Sequence, residues 1–194
     1  MRRIPVIPTL VVLAAVAVMI RLGVWQIERL HWKQALIAYY AAAQADTATH
    51  RWPSVAGLPI AYSRVETDCM KVIAVAPQAG QNAKGQAGWA QVADCVVPDG
   101  QRAQVVIGWS ARPDRVAWAG GRVAGTWLDK GSIGNVIVAD PPQAGLQPNA
   151  RPNPAEVPNN HLAYAVQWFL FAATALVIYA LALRKRLAAA ARRG

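Results

Sequence analysis

His161 has the residue type and the position to do chemistry in this chain. It stands in Pro158-Asn159-Asn160-His161-Leu162, at the mouth of twenty-one apolar or nearly apolar residues, Ala163 to Leu183. An imidazole there is either a nitrogen ligand for a metal or a first-turn hydrogen-bonding residue behind an Asn159 or Asn160 N-cap. Tyr164 follows at i+3 and Trp168 at i+7, so a helix carries all three on one face. A helix rises about 1.5 Å per residue, so about 20 residues cross a hydrocarbon layer roughly 30 Å thick. Gln167 and Thr174 are the polar side chains inside the run, and Arg184, Lys185 and Arg186 close it. Residues 161–183 therefore read as a transmembrane helix and 184–194 as a basic tail.

A second apolar segment, Ile4 to Ile20, follows Met1-Arg2-Arg3. Ala15-Val16-Ala17 resembles a signal cleavage site, yet the apolar character continues past Arg21 through Leu22, Gly23, Val24 and Trp25. A retained first span over residues 1–20 is the expectation. Arg2 and Arg3 precede this span, and Arg184, Lys185, Arg186, Arg192 and Arg193 follow the other. Long connections cross largely regardless of charge, so the tails decide. Both termini are expected in the cytoplasm, with the middle of the chain exported, which in a Gram-negative bacterium is the periplasm.

Residues 21–45 read as a helical extension from the membrane, with no Pro and no Gly after Gly23. Gln26, Arg29 and Lys33 share a face, with Trp25, Trp32, Leu36 and Tyr39 supplying apolar bulk nearby. That face suits either lipid phosphates or the carboxylate of a ligand or partner. The formal net charge is +10, but between residues 50 and 160 ten basic side chains accompany eight acidic ones. The basicity belongs to the membrane-flanking arms, and a nucleic-acid-binding face is excluded.

About 115 residues separate the spans, enough for one modest core. From Pro53 onward, short Val- and Ile-rich runs are broken by Gly and Pro. Strands are predicted over Ser63–Val75, Ala90–Val97, Gln104–Trp109, Arg122–Trp127 and Ile133–Ala139, with a turn at Pro98-Asp99-Gly100. The expected fold class is a membrane α+β protein: two transmembrane helices flanking an exported antiparallel β domain, residues 46–142, as a sandwich or partly closed barrel. Residues 143–160 read as a Pro-rich linker. Cys69 and Cys95 lie on predicted strands. A disulfide, two buried thiols, and a metal or redox pair are all compatible with them, although no CxxC spacing supports a metal. The domain has no GxSxG, HExxH, phosphate-cradling or dinucleotide signature, one histidine (His50), and singly scattered Asp and Glu residues. No enzyme is expected.

Two clusters carry more than composition does. Leu22-Gly23-Val24-Trp25-Gln26-Ile27-Glu28-Arg29-Leu30-His31-Trp32-Lys33 and Pro158-Asn159-Asn160-His161-Leu162-Ala163-Tyr164-Ala165-Val166-Gln167-Trp168-Phe169 resemble the two signatures that bracket the Surfeit-locus-1 family. Gly108-Trp109 resembles that family's central GW element, although Ile107 stands where arginine is usual. The resemblance implies a cytochrome c oxidase assembly factor of the bacterial inner membrane, assisting the entry of haem a into oxidase subunit I alongside the enzymes of haem a synthesis. It also implies that His161 ligates the haem iron. Trp25, Gln26, Arg29, Tyr164 and Trp168 match motif positions without an assigned task. A haem tail would suit the lipid beside Trp168, Phe169 and Phe171, and the propionates would suit Arg21, Arg29 or Lys33. The alternative is a membrane interaction protein that stabilises an oxidase subunit without touching haem.

Overall fold

The computed structural model describes residues 5–53, 57–131 and 134–192. Arg2, Arg3 and Arg193 of the charged tails lie outside the described residues, as does Ile133 at the start of a predicted strand. The chain divides into two compact units, one of residues 1–36 with 158–194, the other of residues 37–157.

The first unit consists of the greater part of α1 (Val6–Ala45) and all of α2 (His161–Arg192). Both helices are long and apolar enough to cross a membrane, and only 11% and 6% of their most apolar windows are buried within the protein. Leu10, Val11, Leu170, Phe171 and Ile178 are among the large side chains left exposed. Surfaces of this kind need lipid around them. Neither helix breaks at the charged residues that end its apolar run. α1 passes through Arg21 unbroken, and α2 continues through Arg184-Lys185-Arg186 to Arg192.

The buried and half-buried positions of the two helices follow one rule. On α1 they include Thr9, Val12, Val16, Met19, Gly23, Gln26 and Leu30, and on α2 His161, Ala165, Trp168, Ala172, Ala175 and Tyr179. The spacing alternates between three and four, the signature of a left-handed seam. Thr9 and Tyr179 touch through their hydroxyls near one end, and the Phe169 ring lies on Gly23 near the other. The helices are therefore antiparallel. Small residues let such helices approach when both sides are equally greasy and the hydrophobic effect is silent.

The second unit is built on a seven-stranded sheet in the order β1-β2-β6-β7-β5-β4-β3. The strands are β1 (Thr49–Arg51), β2 (Arg64–Cys69), β3 (Lys71–Gln81), β4 (Ala87–Val96), β5 (Arg102–Ser110), β6 (Gly121–Asp129) and β7 (Asn135–Ala139). The sheet is mixed rather than purely antiparallel. The β6–β7 hairpin inserts β7 beside β5, where the chain direction makes the pairing parallel, and β1 also pairs β2 in parallel. Inward positions alternate along β2, β5 and β6, and Val65, Val105, Ile107, Val123, Trp127 and Ile137 form the core.

The expected single strand at Ser63–Val75 is two strands meeting at a corner. β2 pairs β6, β3 pairs β4, and at Met70 between them the backbone N–H donates to Val96 O at 2.9 Å. A disulfide joins Cys69, ending β2, to Cys95 on β4, with Cα atoms 5.3 Å apart. Three strands lie between β2 and β4 in the sheet order, so the sheet curls until its two sides meet at this bond. It stays open, because β1 and β3 remain edges. The β4–β5 turn is the one predicted: Gly100 takes φ 81° and the Gln101 N–H donates to Asp99 Oδ1 at 3.0 Å.

Residues 143–157 follow the sheet. Gln147 exchanges two backbone hydrogen bonds with Trp109, Gln143 N–H donates to Ile107 O, and Ala150 N–H donates to Gln81 O. Gly108 makes the passage possible, since a Cβ there would lie 2.4 Å from Leu146 Cβ. The last turns of α1 also belong to this unit. Gln44 Nε2 donates to Pro152 O at 2.6 Å, and Tyr40 packs its ring on Tyr62 at 5.3 Å between centroids.

Candidate functional site

The helix pair brings together two residues 135 positions apart. His161, the first residue of α2, places Nδ1 2.7 Å from Oε1 of Gln26 on α1. An amide oxygen only accepts, so the imidazole nitrogen facing it donates. In the neutral ring Nδ1 then carries the proton and Nε2 holds a free lone pair. Both residues occupy the seam, in the layer where α2 begins. The main chain of α2 starts behind Asn160, whose carbonyl accepts from Tyr164 N–H at 3.3 Å.

The other sequence-selected residues divide by position. Trp168 lies two helical turns from His161 on the seam side and meets Phe171 edge-on, at 6.1 Å between centroids and 89° between planes. Tyr164 points outward and is half exposed. Trp25 and Arg29 belong to a stack on the outer surface of α1. The Arg29 guanidinium lies 5.9 Å from the Trp25 ring centre and 4.8 Å from that of Trp32, and Lys33 Nζ lies 5.9 Å from Trp32. Such contacts orient exposed cations and contribute about 0.5–1 kcal/mol each. Arg21 pairs with Glu28 at 3.8 Å, an exposed contact of little energetic weight. Of the three cations considered for an anionic ligand, Arg29 and Lys33 are therefore the pair without a carboxylate partner among the described residues.

Gly23 sets the geometry of this layer. A Cβ there would lie 2.7 Å from Phe169 Cζ, so any larger residue moves the ring or parts the helices beside Gln26. The signal that exposes this role is the seven-residue spacing of Thr9, Val16 and Gly23, matched by Ala165, Ala172 and Tyr179 on the other segment. Asn159 offers a second unassigned feature: its Oδ1 is buried without a hydrogen-bond partner among the described residues.

In the sheet unit the carboxylates make surface contacts. Glu66 and Asp68 face Arg122, Asp68 also faces Arg51, and Asp140 lies between Arg64 and Arg151. Asp99 and Asp129 accept from turn amides. No group of three metal-ligating side chains occurs among the described residues. His50 lines a cavity of about 430 Å³ with Thr49, Leu58, Ile60 and Ser63, and no carboxylate is among its described lining residues. Burial, with Tyr40 and Glu156 nearby, raises the Tyr62 hydroxyl above its ordinary range.

The SURF1 family model matches residues 13–173, from inside the apolar run of α1 to the second turn beyond Trp168 on α2. No curated relative and no solved structure matches the chain.

Proposed function

The chain belongs to the SURF1 family, cytochrome c oxidase assembly factors, and from that premise we propose that it holds haem a on its way into the oxidase's catalytic subunit. The observation that carries this reading is the His161–Gln26 pair, a ring nitrogen freed for ligation in the first turn of a membrane-length helix. Haem iron takes imidazole as an axial ligand, and haem a adds two carboxylates and a long apolar tail.

The residues present fit those needs. His161 Nε2 is the nitrogen donor. Arg29 and Lys33, one and two turns along α1 from Gln26, offer cations to carboxylates at the level where membrane meets water. The exposed Phe171 presents aromatic surface on the lipid side, and Trp168 meets it edge-on from the seam. Among its described residues the sheet unit holds no group of three metal-ligating side chains, and in this reading it serves as the surface for subunit I and the haem a biosynthetic enzymes. The protein would act in the bacterial inner membrane, both termini in the cytoplasm and the sheet in the periplasm, consistent with Arg184, Lys185 and Arg186 after the second apolar run.

The test is purification after co-production with the haem a biosynthetic enzymes. The wild-type protein should carry a haem a absorption spectrum, and His161→Ala should lose it while inserting and folding normally. An unchanged spectrum in that variant would refute the ligand assignment.

A further inference from the structure

We propose that Gln26 is a positioning residue for His161, fixing the Nδ1–H tautomer and the ring orientation so that Nε2 is the ligating atom. The inference rests on the haem-holding reading for its purpose, but its geometry stands on the helix pair alone.

A neutral imidazole bears one proton that either nitrogen can carry, and in water neither choice is held. The 2.7 Å contact to the amide oxygen biases that choice, because with the oxygen facing the ring the Nδ1–H form is the one that completes the hydrogen bond. The contact also restrains rotation about the bond joining ring and chain, so Nε2 is directed away from Gln26. Ligating histidines commonly donate their second ring N–H to an oxygen, which raises the basicity of the free nitrogen. Here that oxygen comes from the other helix, on a seam position one turn from Gly23. The Phe169 ring seated on Gly23 holds the two helices at the separation the bond requires. Ring orientation is thereby tied to the packing of the membrane pair rather than to the local start of α2.

The competing account is that the pair merely fastens the helices in register, as interhelical polar contacts do. The two accounts separate on Gln26→Leu, which removes the acceptor, and Gln26→Glu, which keeps one. Full-length protein with ¹⁵N-labelled histidine, in nanodiscs and free of haem, reports the tautomer of His161 directly. Its signal is assigned against His161→Ala, since the chain has two other histidines. Wild type and Gln26→Glu should show the Nδ1–H form alone, and Gln26→Leu a mixture. Titration with ferric haem a should show binding weakened roughly ten- to a hundredfold in Gln26→Leu, the usual effect of losing such a partner. Gln26→Glu should restore the affinity and lower the reduction potential of the bound iron, because a carboxylate gives the ring more imidazolate character. A His161 signal unchanged in Gln26→Leu would overturn the positioning role, while leaving His161 as ligand if His161→Ala still loses haem. Full haem affinity in His161→Ala would instead remove the ligand reading itself, and with it the purpose assigned to Gln26.

Discussion

The two units solve opposite problems with the same side chains. Among the described residues the helix pair fully buries Val16, Gly23, Ala165 and Ala172, all small or modest, and leaves most of its large side chains exposed. The sheet unit does the reverse, enclosing Trp52, Trp127, Ile107 and Ile137 almost completely. In water burial drives folding at about 25 cal/mol per Å² of apolar surface, so the sheet places its bulk inside. In lipid that drive is absent, and close contact of small residues with a few hydrogen bonds takes its place. A polar pair such as Gln26–His161 therefore has an organising weight in the helices that no single polar contact has in the sheet.

Three perturbations test that contrast. The largest falls on the sheet. Replacing both Cys69 and Cys95 by Ala opens a loop of about 27 residues and should cost about 3–4 kcal/mol on the chain-entropy view. Denaturant unfolding of the sheet should register the loss, while the His161 tautomer signal stays unchanged. A tautomer signal that moved with the disulfide would show the units to be coupled.

An intermediate effect is expected at Gly23. Adding one methyl as Gly23→Ala places it against the Phe169 ring and should destabilise the pair by about 1–3 kcal/mol, the usual range for overpacking. Haem a affinity should fall with it, and Phe169→Ala in the same chain should recover part of the loss. Sheet unfolding should not respond.

The smallest effect belongs to Tyr62. Its hydroxyl titrates above the ordinary value of 10.0, first because burial penalises the charged form and then because Tyr40 and Glu156 stand near. The folded state keeps this proton to higher pH than the unfolded chain does. The stabilising contribution is thus complete below about pH 10 and is lost as pH rises through the raised value. The stability difference between wild type and Tyr62→Phe should be flat below that point and shrink above it.

How much of this was legible in the sequence depended on how local the cause was. Ala163–Leu183 announced a membrane helix because length and apolarity act residue by residue. The Pro98-Asp99-Gly100 turn was equally visible, since its chemistry lies within four residues. The corner at Met70 was not, because the Val-rich pattern runs straight through it and the break is imposed by β4 and the disulfide. β1 was too short to signal itself and exists by pairing with β2. The prolines at 148, 152, 154 and 158 marked an extended linker but not where it would run, since its backbone partners lie on β5 and β3, some 40 to 70 residues earlier. At the candidate site, the motifs pointed to Gln26 and His161 separately. Nothing in spacing could join them, because what joins them is the antiparallel seam.

β3 ends the sheet with eleven residues, and among the described residues no strand pairs with its outer side, where Ala150 reaches only the last of them, Gln81. A rim of that length would ordinarily recruit a neighbouring chain and grow into a fibre. Here the ladder slips register between Val72 and Ala74, and Pro77 interrupts its row of amide donors. The edge therefore offers a second chain no unbroken row of backbone donors and acceptors to extend the sheet.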